Sequence, residues 1–195
     1  SSLDQIGPIG KTADDCAALF DIIQGHDSKD ATSLRPGQII VPDSASQPVI
    51  NVGLEKITIG VPIDFFDDTS LSALSPAVCN ALKTTSSYLQ TAGANIEPVS
   101  FGLTEYLLPT YYIIACAEAS SNLSRYDGVK YGYRTPSDTH LHAMYRRSRS
   151  EAFGHEVKKR ILLGTFTLSA GYYDAYYLKA LKVKDQIVTR FEELF

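Results

Sequence analysis

A chain of 195 residues with 44% hydrophobic and 21% charged residues is long enough to bury a sizeable core and too apolar for a disordered segment. The formal net charge of -4 argues against a chain that grips nucleic acid by bulk charge. No apolar run approaches the roughly 18 residues of a membrane span, and no basic-then-apolar leader opens the chain, so a cytoplasmic protein without membrane contact is expected.

Residues 12–24 read as a helix. Thr12 caps it, Asp14 and Asp15 sit in the first turn, Ala13, Cys16, Ala17, Phe20 and Ile23 form one apolar stripe, and Gly25 stops it. Residues 26–55 hold the turn signals Asp27, Asp30, Pro36, Pro42 and Pro48 without a sustained period. They read as a long irregular connection with a short extended piece around Ile39 to Val41. Residues 57–100 then form a strand-helix-strand unit. Ile57-Thr58-Ile59-Gly60-Val61 is a β-branched strand, and Ser75-Pro76 starts a helix whose buried stripe is Val78, Ala81, Leu82, Tyr88 and Leu89. Gly93 ends that helix, and Ala94 to Val99 is the second strand, so the two strands are expected to be parallel with a right-handed crossover.

Residues 103–195 read as mainly helical. One helix covers 103–125 with Pro109 near its start, a second lies near 139–151, a third near 155–168 and a fourth spans about 172–194. The fold class is therefore α/β, helix-rich in its second half. Cys16, Cys79 and Cys116 are far apart and set among apolar residues, which fits reduced thiols better than a disulfide framework or a metal site.

A hydrolytic centre needs a nucleophile, a base and oxyanion donors. None is complete here. Ser1-Ser2, Ser86-Ser87 and Ser120-Ser121 are tandem serines outside any glycine-rich turn. His26, His140, His142 and His155 share no triad or metal-ligand spacing, so no metal is expected. Glu118 lies among the small residues Ala115, Cys116, Ala117, Ala119 and Ser120, where close packing would enclose a carboxylate. It reads as a structural acid paired with Arg125. The basic residues Arg146, Arg147, Arg149, Lys158, Lys159 and Arg160 read as solvated charge before an RNA footprint. The tyrosines at 111/112, 172/173 and 176/177 read as core and subunit-interface residues before a stacking platform.

Two segments carry a further signal. The first is Tyr111-Tyr112-Ile113-Ile114-Ala115-Cys116-Ala117-Glu118-Ala119-Ser120-Ser121-Asn122-Leu123-Ser124-Arg125-Tyr126-Asp127-Gly128, running into Val129-Lys130-Tyr131-Gly132-Tyr133-Arg134. The second is Glu156-Val157-Lys158-Lys159-Arg160-Ile161-Leu162-Leu163-Gly164-Thr165-Phe166, continuing through Ser169-Ala170-Gly171-Tyr172-Tyr173-Asp174-Ala175-Tyr176-Tyr177. With the opening Ser1-Ser2-Leu3-Asp4-Gln5-Ile6-Gly7-Pro8, the run Gly25-His26-Asp27 through Thr32-Ser33 and the strand at 57–62, they resemble the amidase-signature family over nearly the whole chain. The run at 127–134 and the tyrosine-rich helix resemble, within it, the branch of A subunits of glutamyl-tRNA(Gln) amidotransferases. Gly10-Lys11 in place of a more usual Thr-Arg, Pro109, and residues 34–53 depart from the family pattern.

The resemblance implies one partial amidase-signature domain over residues 1–195, contributing to a mixed sheet flanked by helices. The family's catalytic lysine and two serines correspond to positions before Ser1. The chain, which does not begin with Met, is thus expected to be a piece of a longer enzyme and inactive alone. Arg160 falls where the family holds the glutamine α-carboxylate, a task suited to a planar guanidinium, and Tyr111 matches a tyrosine lining the same pocket. An acid that would meet the α-ammonium corresponds to a position beyond Phe195. The implied parent hydrolyses glutamine and passes ammonia to a B subunit, where ATP and Mg serve to convert Glu-tRNA(Gln) to Gln-tRNA(Gln), with a small C subunit completing a heterotrimer. No cofactor is expected on this segment itself, and uncovered faces are expected to promote self-association. A different hydrolase of small amides, or a non-catalytic interaction module of the same fold, are the alternative readings.

Overall fold

The computed structural model describes residues 2–35, 37–38, 53–65, 75–136 and 140–195. The expected extended piece at 39–41 lies outside them, as does half of the connection at 26–55. Helix α1, Ala13–Ile23, begins with a reciprocal cap: Thr12 Oγ1 accepts the Asp15 amide at 3.1 Å, and the Asp15 carboxylate accepts the Thr12 amide at 3.2 Å. Such a cap contributes about 1 kcal/mol by satisfying donors that have no intrahelical partner. The apolar stripe of α1 is present in register but not covered, since Phe20 and Ile23 are exposed and Cys16 is only half-buried.

Strand β1, Thr58–Pro62, helix α2, Pro76–Thr91, and strand β2, Asn95–Val99, form the expected unit. Ser75 Oγ accepts the Val78 amide and Pro76 occupies the first helical position. The strands are parallel, in a register pairing Ile59 with Ile96 and Pro62 with Val99. The stripe expected to be buried on α2 is largely open, however: Val78, Leu82 and Tyr88 are exposed, Tyr88 at 70%. The reason is width. Among the described residues the sheet has two strands, too narrow to cover one face of a 16-residue helix.

Asp64, just after β1, ties the two strand exits together. Its carboxylate accepts the Gly102 amide at 3.1 Å, the Phe101 amide and the Ser100 hydroxyl. These bonds, the one from Gly102 foremost, hold its carboxyl below the ordinary aspartate range.

The second half is helical. Helix α3, Thr104–Leu123, runs through Pro109 without a break, because the proline sits in the second turn and forfeits only the bond to the exposed Glu105. Helix α4 is Leu141–Ala152, and helix α5 is His155–Thr167. The expected single helix at 172–194 is instead two elements: a π-helical turn, Tyr173–Leu178, followed by helix α6, Lys179–Leu194. The wider turn coincides with crowded rings, Phe166 lying 4.3 Å from Tyr172 and 5.6 Å from Tyr176 between centroids.

The core sits where α3 meets α5 and α6. Ile114, Cys116, Ala117 and Ala180 are buried there, and Met144 is buried on α4. Phe101 stacks on Phe191 at 4.9 Å, and Arg190 donates to the Phe101 and Ser100 carbonyls, fastening the strand unit to α6. Cys116 is buried as expected, and burial pushes its thiol pKa up, whereas Cys16 and Cys79 are only half-buried.

A depressed aspartate contributes stability above its unfolded pKa and loses it as pH falls through the folded value. Asp64→Ala is therefore expected to lower Tm at pH 7, with the gap to the unsubstituted protein closing below about pH 4. Thermal melts across that range measure it.

Candidate substrate-binding site

The site is built by the crossing of α3 and α5. Gly164 makes that crossing possible, because a Cβ there would lie 1.9 Å from the Cys116 carbonyl oxygen and 2.6 Å from the Ser120 Cβ. At the same crossing the helices are pinned by the Ser120 and Thr165 hydroxyls at 2.9 Å, and Thr165 in turn donates to the Ile161 carbonyl. The close approach brings the first half of α5 against Tyr111 and Tyr112 of α3.

Arg160 lies at that junction with its side chain about one-third exposed. Its Nε donates to Glu156 Oε1 at 3.1 Å, and its Cζ sits 5.8 Å from the centre of the Tyr112 ring. The Glu156 bond, followed by the Tyr111 hydroxyl, holds the guanidinium pKa above its ordinary value. Tyr111 and Tyr112 are neighbours on one helix, so their side chains diverge by about 100°. Their rings meet edge to face at 5.4 Å. Arg160 and Tyr111, singled out separately in the sequence, are thus brought together. The sequence marks Tyr112 only as a core or interface tyrosine and does not single out Glu156. The four-residue spacing of Glu156 and Arg160 on a helix was the available signal.

The tyrosines are not core residues within this chain. Tyr111, Tyr112, Tyr172, Tyr173 and Tyr176 are all exposed. Packing of ring on ring, as between Tyr173 and Tyr177 at 5.2 Å, organises them at a surface.

Glu118 is half-buried but takes a different partner from the one expected. Its carboxylate accepts the Ser2 amide at 2.7 Å and the Ser2 hydroxyl. Arg125 lies two residues beyond the end of α3, off the helical face that would have carried it back to Glu118, and among the described residues no ion pair joins the two. With Ser121, Asn122, Tyr173 and Tyr177, the Ser2–Glu118 pair lines a polar pocket of about 400 Å³.

The basic residues divide. Arg146, Arg147, Arg149 and Lys158 border an open groove between α4 and α5 with Phe153, Ile161 and Leu162. Two of these cations are committed to backbone carbonyls: Arg149 donates to Leu123 and Tyr126 at 2.8 and 3.0 Å, and Lys158 to Ser150 at 2.7 Å. Arg160 is not among the groove residues.

The run at 127–134 is a compact turn that seats α4 beside the end of α3. Asp127 accepts the Val129 amide, and Gly128, with φ of +79°, donates to the Tyr131 carbonyl. A Cβ on Gly128 would strike the Ser148 Oγ and the Tyr133 carbonyl, both at 2.9 Å. Tyr133 donates to Glu151, and the buried Ser148 accepts the Thr135 amide.

The histidines gather no site, and among the described residues no group of three or more His, Cys, Asp or Glu could hold a metal ion. No described helix is long and apolar enough to cross a membrane.

A family model described as Amidase matches residues 1–195. The chain belongs to the amidase family. Over its whole length it is 50% identical to the A subunit of the glutamyl-tRNA(Gln) amidotransferase of Agathobacter rectalis, of which it covers 37%. It is 49% identical to the corresponding protein of Carboxydothermus hydrogenoformans, of which it covers 38%. The Thermotoga maritima relative of the same name, known from a crystal structure, aligns over all of this chain and 35% of its own, with a TM-score of 0.63 at 36% identity. The chain thus spans under two-fifths of the length of the relatives it matches, and shares the α/β amidase fold with them.

Replacing Gly164 by alanine tests the crossing. Helix propensity alone would favour alanine by about 1 kcal/mol. Contact with a backbone oxygen at 1.9 Å cannot be relieved by a rotamer change, so a net loss of about 1–3 kcal/mol is expected. Urea titration followed by circular dichroism reads the sign.

Proposed function

We propose that this chain is part of the glutamine-hydrolysing subunit of a glutamyl-tRNA(Gln) amidotransferase. The observation that carries the reading is half identity over every residue of the chain to relatives of that name. The juxtaposition of Arg160 with Tyr111 and Tyr112 supports it locally.

In this reading Arg160 receives the α-carboxylate of glutamine, and Tyr111 presents its hydroxyl from the adjoining wall. A guanidinium suits this task because two parallel N–H groups match two carboxylate oxygens. Glu118 is a structural acid. The nucleophilic serine, the second serine and the lysine that activate it belong to the rest of the parent protein. Serine attacks the side-chain amide carbon, ammonia leaves, and water cleaves the resulting glutamyl ester. The ammonia is used by a B subunit that activates the glutamate of Glu-tRNA(Gln) with ATP and Mg. A C subunit binds both, in the cytoplasm, and this segment holds no cofactor of its own.

The experiment is glutaminase kinetics of the full-length protein in its complex. Arg160→Lys keeps the charge but loses the paired donors, so the KM for glutamine should rise roughly tenfold or more with a smaller change in kcat. An unchanged KM refutes the carboxylate role. The 195 residues alone should release no ammonia from glutamine. Failure of the full-length protein to capture B and C subunits would favour a hydrolase of other small amides.

A further inference from the structure

Arg160 is held by three neighbours: Glu156, the Tyr112 ring and the Tyr111 hydroxyl. Glu156 engages Nε, which limits how the guanidinium can turn, and Cζ lies over the Tyr112 ring at 5.8 Å from its centre. A guanidinium presents two hydrogen-bonding edges. With Nε taken by Glu156 and the Tyr111 hydroxyl also bonded to the guanidinium, the remaining donors of the terminal edge are those left for a ligand.

Helical geometry explains why Glu156 is the residue that does this. Side chains on a helix lean toward its N-terminus, so a residue four positions earlier lies directly in the path of a long side chain. Glu156 is in the first turn of α5, where the helix dipole also favours its charge. The pair is open to solvent, with Glu156 60% exposed, and pairs of that kind add little to stability. A net stabilising role does not account for it.

We propose that Glu156 is a positioning residue for the glutamine site: it holds the terminal edge of Arg160 toward the α-carboxylate so that little side-chain freedom is lost on binding. This inference rests on the assignment of Arg160 made above. The opposite effect has a clear signature. A carboxylate this close to an anion site would repel the substrate if it did not orient the arginine, and removing it would then tighten binding.

The test uses the full-length protein in its complex, with glutamine and with its α-amide analogue, which lacks the carboxylate. Glu156→Ala should raise the KM for glutamine about three- to tenfold, leave kcat within about twofold and leave the KM for the analogue unchanged. Glu156→Gln, whose amide oxygen still accepts from Nε, should recover most of the loss. Thermal stability should change little in either, since an exposed pair and a first-turn acid each contribute only weakly. A lower or unchanged KM for glutamine in Glu156→Ala overturns the proposal, as does an equal rise for both substrates. Arg160→Lys run alongside separates the two ideas. If it raises the KM while Glu156→Ala does not, only the positioning role falls. If it leaves the KM unchanged, the pocket assignment falls and the positioning role with it.

Discussion

The absence of a side chain at Gly164 lets α5 lie directly on the Cys116 carbonyl of α3, and every feature of the candidate site follows from that contact. Two helices ordinarily pack with axes roughly 8–10 Å apart, the spacing being set by the residues at the crossing. Where the crossing residue has no Cβ, the helices close up, and side chains one turn away on each come within reach. Here those are Tyr111 and Tyr112 on one helix and Arg160 on the other, with Glu156 one turn beyond Arg160. Ser120 and Thr165 then fix the rotation of one helix about the other through a single hydroxyl pair. The site is a consequence of backbone proximity before it is a consequence of any polar residue.

Single side chains also make the other joints. Asp64 gathers the exits of both strands, Arg190 fastens that corner to the end of α6, and the turn at 127–134 docks α4 through the buried hydroxyl of Ser148. Each joint is a polar side chain satisfying backbone groups that regular structure leaves unpaired. By contrast, the large apolar faces of α1 and α2 meet little among the described residues. Tight polar joints beside open apolar faces fit a chain that spans under two-fifths of its relatives' length.

What could be read from the sequence was what neighbours in sequence decide. Thr12 with Asp15, and Ser75 with Pro76, specify helix starts within four residues, and both stand where expected. The parallel pairing of 58–62 with 95–99 followed from the strand-helix-strand order. Burial did not follow, because an apolar stripe shows only that a face is available, not that anything lies against it. The partner of Glu118 was illegible for a similar reason: Ser2 is 116 residues away, whereas the nearby Arg125 falls past the end of the helix. The spacings of three and four after Tyr172 are those of an α-helix, and a single wider turn within such a path leaves no separate mark in the pattern.

That turn governs how the last helix is aimed. A π-helical turn amounts to one additional residue inserted into an α-helical path, and each residue advances the winding by about 100°. The insertion before Lys179 therefore sets the azimuth of everything to Leu194. With it, Ala180 faces inward and Arg190 reaches the carbonyls of Ser100 and Phe101. Shortening the tyrosine segment by one position would roll the terminal rod by more than a quarter turn and swing that arginine away from the strand corner it latches.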